Sequence, residues 1–306
     1  MKFKIIISKQ ANLFFFISNL TEWHFSCRLA YNEEWIKMTG ALKSDEKKIL
    51  KKIKIILKKY GFKTYLGKFF INSGGSKNNW NKLEKLLKPR EYKDLKASFE
   101  IFSARFRGLW LNNLEILKRN KKIINDELKK KRISQIIKNL HNFFDYQKSR
   151  LKILEIFLIA SPVPFSNNGG ANLKNNQITA ECHKIEPETS YSERIIRLIF
   201  HEYSHLLLKS SEYIPILSKN YDGEQLKLGE AVICSLLPNG YLAEKYFHYK
   251  VSKKFKTKQF KNKPKNKQEI SSFSAFKGYN IAKQYIEKDK KLDKGYINRI
   301  KSLIKK

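Results

Sequence analysis

The amino-acid sequence predicts an α+β fold that is mostly α, and three observations support that prediction. Apolar residues recur every three or four positions through long stretches, which is the period of helices packed on one side. Two short segments, 151–159 and 176–184, carry instead a run of Leu and Ile or a regular alternation, as strands do. At 306 residues and 42% hydrophobic content, the chain can bury one good core and has room for a second small domain.

The N-terminal segment is predicted to be a strand, followed by the start of a helix or of a second strand. Residues 1–7 begin like a signal peptide, but a polar triplet at 8–10 interrupts the apolar run and no A-x-A cleavage site follows. The sequence has no stretch of 18 apolar residues, so we expect no membrane span. The three cysteines, Cys27, Cys182 and Cys234, form no CxxC pair, which favours a reducing, cytoplasmic location.

Helices are predicted through most of the N-terminal region, which we bound at 1–149. The segment 44–60 is amphipathic, with Ile and Leu at helical spacing, and Gly61 is expected to end it. Residues 72–79 are rich in Asn, Ser and Gly and predict a loop. A long helical pattern follows and is interrupted at Pro89, because proline cannot continue a helix.

The rest of the chain is predicted to form a catalytic core at 150–251 and a basic C-terminal region at 252–306. Between the two predicted strands, residues 160–176 contain two Pro and two Gly and predict a loop that can line a cleft. The C-terminal region begins with a linker rich in Lys and Asn, and two short helices, about 270–287 and 292–305, are expected after it.

The most informative motif is the pentad HEYSH at residues 201–205, which has the form HExxH. Positions i and i+4 of a helix lie on the same face, so His201 and His205 can direct two imidazoles at one metal ion. Glu202 is rotated by about 100° around the helix axis, where its carboxylate can reach water at that metal. The pattern is typical of zinc hydrolases.

The pentad belongs to a predicted helix over about 191–209. Ser190 and Glu193 have the S-x-x-E form of a capping box, and neither Gly nor Pro interrupts the segment after them. Most sides of this helix are apolar, so we expect it to be central and buried. The alternative is a buried helix whose histidines are only hydrogen-bonded, although two His and a Glu in such a place are costly without partners.

A catalytic zinc takes three protein ligands and keeps one open position, so a third ligand is required. The HExxHxxGxxH pattern is absent, because Leu and Ser occupy positions 208 and 211. A carboxylate on a following helix is the other common choice, and Glu230 stands out because its neighbours are apolar or small. The alternative is that Glu230 pairs with Arg194 or Arg197. The other candidate carboxylates are Glu212, Asp222, Glu224 and Glu244.

The HEYSH pentad and a helix-borne Glu about 25 residues later resemble the gluzincin, or thermolysin-like, zinc metallopeptidases. The resemblance covers about 150–250. It implies a zincin-like catalytic core, in which a small sheet with an edge strand accompanies an active-site helix and a glutamate helix. In this chain it implies that His201, His205 and Glu230 bind Zn2+, and that Glu202 is the general base.

The same resemblance implies a substrate-binding strand at the edge of the sheet, ahead of the active-site helix. The segment 176–184 fits this place, because its residues alternate as those of a half-buried strand do. Its polar face would then contact a peptide or protein substrate through Gln177, Thr179 and Glu181.

The sequence departs from the family pattern at one position. Many gluzincins carry an acidic residue four positions after the ligand Glu, where it hydrogen-bonds a ligand His, and here that residue is Cys234. Another partner must therefore orient His201. Tyr241 and His248, after the predicted glutamate helix, are candidates to hydrogen-bond a tetrahedral oxyanion, and the alternative is that they are ordinary packing residues.

The net charge of +35 bears on possible partners. Of the 63 basic residues, 53 are Lys and only 10 are Arg, the side chain best suited to phosphate and guanine. The charge should attract polyanions non-specifically. We expect a zinc-dependent metallopeptidase. The alternatives are a basic protein that binds nucleic acid or an acidic partner and keeps a vestigial zincin core, and a non-proteolytic zinc hydrolase.

Overall fold

The computed structural model describes residues 1–24, 27–61, 64–71, 76–146, 152–163, 169–172, 176–183, 189–210, 223–250 and 267–305. This part of the chain is mostly helical and contains a small mixed sheet of four strands. The predicted class, α+β and mostly α, is thus confirmed, whereas the zincin-like core stays a prediction. No helix within these residues is long and apolar enough to cross a membrane.

The elements follow one another as a strand, a series of helices, three more strands and a second series of helices. In chain order they are β1 (Lys2–Ile7), α1 (Lys9–Leu20), α2 (Leu29–Thr39), α3 (Ser44–Tyr60), a short 3-10 helix (Leu66–Phe69), α4 (Ser76–Leu86), α5 (Pro89–Leu128), α6 (Lys131–Phe143), β2 (Ile153–Ala160), β3 (Gly169–Asn172), β4 (Gln177–Cys182), α7 (Thr189–Ser210), α8 (Gly223–Cys234), α9 (Tyr241–Tyr246), α10 (Lys267–Glu287) and α11 (Lys294–Lys305).

The N-terminal helices largely follow the predicted pattern. Helix α3 has the predicted bounds and is capped by Gly61, whose φ of 50° is readily adopted only by glycine. The predicted interruption at Pro89 is confirmed: α4 ends at Leu86 and Pro89 begins α5, because the first turn of a helix needs no N–H from that residue. The loop predicted at 72–79 is wrong for its second half, since α4 begins at Ser76.

The sheet has the strand order β1-β2-β4-β3. Strands β1, β2 and β4 are parallel, and β3 runs antiparallel to β4. This order corrects one prediction: 176–184 does not form the edge of the sheet, because β4 lies between β2 and β3. The edge next to β4 is β3, which lies within the predicted loop at 160–176. Its Gly-Gly-Ala-Asn sequence pairs through backbone groups and carries no side-chain alternation to reveal it.

Helices cover both faces of the sheet. On one face Ile156 and Leu158 belong to the same apolar cluster as α7, and on the other Phe157 and Ile159 pack with Ala11 of α1. Helix α5 is 40 residues long and joins two cores. Its first half packs among the N-terminal helices, and its second half packs beside the sheet and α7. Helix α7 therefore packs against both the sheet and α5.

The C-terminal helices α10 and α11 confirm the two helices predicted there, and both pack against α8. The hydroxyls of Ser235 and Tyr296 lie 2.5 Å apart, just beyond the end of α8. Gly278 lies against Ser235 as well. Helices α10 and α11 thus belong to the same apolar core as α8. Residues 251–266 of the predicted linker lie outside the described residues, and the boundaries at 149 and 251 stay predictions.

Candidate metal centre

The HExxH pentad lies in the second half of α7, which confirms the predicted helix over about 191–209. Helix α7 begins at Thr189, so Ser190 is not its N-cap. Glu193 does not complete a capping box either, because its carboxylate accepts hydrogen bonds from Arg132 and from the backbone N–H of His248. The helix is buried on most sides, as predicted, since it packs against β3, β4, α5 and α8.

The carboxylate of Glu230 lies between the two histidines of the pentad. Its Oε1 is 3.5 Å from Nε2 of His201, and its Oε2 is 3.3 Å from Nε2 of His205. Both separations exceed the 2.7–3.2 Å range of good N–H···O hydrogen bonds. Each is close to the roughly 3.4 Å expected between two ligand atoms of a tetrahedral zinc, and the two histidines face different oxygens of the carboxylate. Glu230 thus faces both pentad histidines.

His201 is held in place through its other ring nitrogen. Nδ1 of His201 lies 3.0 Å from the backbone carbonyl oxygen of Leu237, so that Nδ1–H can donate to it and Nε2 remains available as a ligand. This carbonyl is the orienting partner that we expected in place of an acidic side chain. The segment that carries it is fixed by Arg197, whose Nη1 donates to the carbonyl of Pro238 at 2.8 Å and to Oδ1 of Asn239 at 3.1 Å.

Sequence reasoning assigned no role to Cys234. Its thiol lies 3.5 Å from Oε1 of Glu230, and donor atoms of His201, Glu230 and Cys234 all lie within 4.8 Å of one another. All three residues are buried. His205 approaches the other oxygen of the same carboxylate. The spacing of Glu230 and Cys234, i and i+4 on one helix, was the signal that could have revealed this neighbour.

Glu202, the predicted general base, is only 6% exposed and lies against the edge strand β3. A Cβ atom added to Gly169 would lie 2.7 Å from Cγ of Glu202 and 2.8 Å from its Oε1, closer than carbon and oxygen atoms approach. A glycine is therefore required for this approach. The predicted base thus lies beside the sheet edge, next to the histidines that flank it in the pentad.

The polar residues of β4 are placed differently from the prediction. Gln177 and Glu181 are buried: Nε2 of Gln177 donates to Oε2 of Glu155 at 2.8 Å, and the Tyr31 hydroxyl donates to Glu181. Thr179 Oγ1 lies 3.4 Å from the carbonyl of Gly170 on β3. Strand β4 is hydrogen-bonded to β2 on one side and to β3 on the other. These side chains therefore do not line the sheet edge, where a substrate strand was expected.

Both candidates for oxyanion stabilisation have hydrogen-bond partners outside the pentad and Glu230. The Tyr241 hydroxyl donates to Oε1 of Glu287 at 3.0 Å, and burial raises the pKa of Tyr241 well above its usual value. The His248 side chain is largely exposed, with Nδ1 3.1 Å from Oε1 of Glu193. Glu193 precedes His201 by two helical turns, about 12 Å along the axis. The structure thus directs both side chains to other partners.

The remaining candidate carboxylates contribute nothing at this centre within the part of the chain that the structure describes. Glu244 hydrogen-bonds Tyr279 on α10, and this contact adds to the burial that raises the pKa of Tyr279 to about 12. Glu212, Asp222 and the side chain of Glu224 lie outside the described residues. Among the described carboxylates, Glu230 is the one that faces both pentad histidines.

Comparisons of this chain with protein-family models, with curated proteins and with solved structures gave no match. Its function is therefore inferred from the side chains themselves. Two imidazoles and a carboxylate, with a thiol beside them, are donors that zinc binds in proteins. His201, His205 and Glu230 would hold the ion, although the group of three donors that lie within 4.8 Å of one another among the described residues is His201, Glu230 and Cys234. Three such ligands leave one position open, as in catalytic rather than structural zinc sites.

Proposed function

We propose that this chain is a zinc-dependent metallopeptidase. The observation that carries the proposal is the position of Glu230, with one carboxylate oxygen 3.5 Å from His201 Nε2 and the other 3.3 Å from His205 Nε2. Both distances are longer than a His–Glu hydrogen bond, and one carboxylate faces both rings, as a third ligand of the same metal would. This arrangement is built from residues on two helices, so it does not follow from the pentad alone.

Each residue of the centre has a distinct part in the proposed reaction. His201, His205 and Glu230 bind the metal, and the Leu237 carbonyl keeps the His201 ring in the orientation for binding. Zinc, when bound, supplies a Lewis acid that polarises the scissile carbonyl and makes water more acidic. Glu202 takes the proton of the attacking water and passes it to the leaving amine.

Metal analysis of tag-free protein, combined with a peptidase assay on a mixed peptide library, tests the proposal. We expect about one equivalent of zinc per chain, lost in the His201→Ala, His205→Ala double variant. Glu202→Gln should keep zinc and lose activity by a factor on the order of 100 or more, because it lacks a general base. His248→Ala is the matched control, since this exposed histidine lies apart from the centre, and it should keep both zinc and activity.

Two outcomes would overturn the proposal. Zinc content that is unchanged in the double histidine variant would remove the centre from consideration. Zinc binding with no hydrolysis of any peptide would favour the non-proteolytic alternative, and a Glu202-dependent hydrolysis of small esters or amides would establish it. Zinc-independent binding of an acidic partner, unaffected by either variant, would favour the binding-protein alternative.

The proposed partners and location rest on composition. The substrate is a peptide or protein, and the net charge of +35 supports an additional non-specific attraction to polyanions. We propose a cytoplasmic location, because all three cysteines are free in the structure and the sequence has no CxxC pair.

A further inference from the structure

We propose that Cys234 is a positioning residue for Glu230: its thiol holds Oε1 by a hydrogen bond and thereby presents Oε2 to the metal. This inference rests on the metal site of the proposed function, but not on the identity of the substrate. It assigns a role to the residue that stands where many gluzincins carry a carboxylate. There the carboxylate acts on a histidine, whereas here the thiol acts on the glutamate.

The geometry of α8 brings the two groups together. Glu230 and Cys234 are four residues apart on one helix, so their side chains share a face, and that face is turned to α7. Sγ of Cys234 is 3.5 Å from Oε1 of Glu230, which is within reach of a hydrogen bond from a thiol because sulfur is large. A thiol has one proton to donate, and Oε1 is an acceptor. The contact is therefore directional, from Cys234 to Glu230.

Exposure indicates which side of the carboxylate is open. The Cys234 side chain has no exposed surface, Glu230 is 8% exposed and the His205 side chain is 28% exposed. The thiol therefore lies at the closed end of the centre, behind the carboxylate, and His205 lies at the end that solvent reaches. Oε1 lies 3.5 Å from the thiol and 3.5 Å from His201 Nε2, and Oε2 lies 3.3 Å from His205 Nε2. A carboxylate held at Oε1 binds a metal through Oε2 with little loss of rotamer freedom.

The competing assignment is that Cys234 is itself a metal ligand. A thiolate bound to the same zinc would also lie about 3.5 Å from a ligand carboxylate oxygen, so distance alone does not separate the two roles. A fourth protein ligand would close the position that a catalytic zinc keeps open. The buried position of the thiol at the far side from His205 also favours contact through Glu230 rather than directly with the metal.

Three cysteine variants and two metals test the inference. Zinc affinity is measured by competition with a chelator for the wild type, Cys234→Ser, Cys234→Ala and Cys182→Ala, and each protein is also loaded with Co2+ for its near-ultraviolet spectrum. We expect Cys234→Ala to weaken zinc binding by roughly 10- to 100-fold. Cys234→Ser should retain affinity within roughly threefold, because a hydroxyl also donates to Oε1. Cys182→Ala, which removes another buried thiol, should leave affinity unchanged.

The spectrum separates positioning from ligation. The wild type with Co2+ should show no sulfur-to-cobalt charge-transfer band, because the sulfur contacts the carboxylate and not the metal. A band that is present in the wild type and absent from Cys234→Ser would make Cys234 a ligand and overturn the inference. Unchanged zinc affinity in Cys234→Ala would overturn it too, and so would a wild type that binds neither metal.

These outcomes are distinct from failure of the proposed function. If no peptide is hydrolysed but serine restores the zinc affinity that alanine loses, positioning by Cys234 is supported and only the peptidase assignment fails. If Glu202→Gln abolishes hydrolysis while Cys234→Ala leaves zinc affinity intact, the peptidase assignment stands and the role of Cys234 is wrong.

Discussion

Gly169 on the edge strand and Glu202 on the active-site helix lie in direct contact, with no room for a side chain between them. An added Cβ on Gly169 would also lie 2.8 Å from the backbone oxygen of Thr179 on the neighbouring strand. A shift of this strand toward β4 therefore could not relieve the clash with Glu202. The edge strand thus limits where the carboxylate of the proposed general base can lie.

Replacing Gly169 by Ala should therefore displace Glu202. We expect Gly169→Ala to lower kcat/KM by about 10-fold or more, because small misplacements of a catalytic group are costly. Zinc content should stay unchanged, since Glu202 is not a ligand. Gly170→Ala is the matched control: among the described residues, its Cβ would meet only the Thr179 side chain, at 3.3 Å. Equal losses of activity in the two variants would contradict this role of Gly169.

Arg197 links the active-site helix to the segment that orients His201. It is largely buried, burial lowers its pKa to about 10, and its guanidinium lies 4.3 Å from the ring centre of Tyr249. Without its bonds to Pro238 and Asn239, the Leu237 carbonyl should shift away from His201 Nδ1.

We expect Arg197→Met to weaken zinc binding by about 10-fold or more, and to reduce the free energy of unfolding by about 1–3 kcal/mol. Chelator competition and urea unfolding measure the two effects. Arg107→Met, at an exposed site on α5, is the control and should change neither quantity. A variant at position 197 that loses stability but binds zinc normally would limit Arg197 to a structural role.

Acid should destabilise the N-terminal helices through one ion pair. Arg105 on α5 donates from Nε and Nη2 to the two carboxylate oxygens of Glu46 at 2.7 and 2.6 Å, and these bonds hold the pKa of Glu46 below its usual value of 4.5. Because this pKa is lower in the folded state, the stabilisation is full above about pH 4.5 and is lost as the pH falls through the lowered pKa.

We expect Glu46→Gln to reduce the free energy of unfolding by about 1–3 kcal/mol at pH 7. The difference from the wild type should shrink below pH 4, where the wild-type carboxyl also becomes protonated. Urea unfolding at a series of pH values gives both curves. Curves that stay parallel down to pH 3 would show that the pair contributes no pH-dependent stability.

Two glycines in helices should respond to alanine in opposite directions. In Gly278→Ala the new Cβ would lie 2.7 Å from Cβ of Ser235 and 3.1 Å from Cδ1 of Ile300, so we expect a loss of about 1–3 kcal/mol from overpacking. In Gly108→Ala no other described residue lies within 4 Å of the new atom, and the variant should gain about 0.5–1 kcal/mol from helix propensity. Thermal unfolding compares them, and a stabilised Gly278→Ala would show that α10 packs more loosely on α8.

Local patterns predicted those parts of the fold that depend on short-range spacing. Helix α3 has its predicted bounds because its apolar residues repeat over four turns and a glycine ends it. The pentad helix was predicted from a capping-box pattern and from an apolar segment without Gly or Pro; the helix is present, but Glu193 bonds to Arg132 and His248 instead of closing a capping box. Strand β3 was missed because four residues with two glycines carry no alternation, and its hydrogen bonds with β4 exist only once the sheet has formed.

The candidate site was predictable to the extent that its residues share a helix. His201, Glu202 and His205 follow from one motif, whereas the facing carboxylate of Glu230 depends on how α8 packs against α7. The same holds for Tyr241, whose hydroxyl donates to Glu287 on α10. Sequence spacing identifies which side chains are neighbours on one helix, but not which helix they will face.

The parallel pairing of β1 with β2 has a consequence for synthesis of the chain. Ile7 lies opposite Leu158, so the two strands are separated by about 150 residues of intervening helices. At about 5–20 residues per second, a ribosome needs roughly 10–30 s to complete that distance. During this interval β1 and its apolar residues have no strand to pair with, so a nascent chain halted before residue 153 should be a good target for chaperones that bind extended apolar segments.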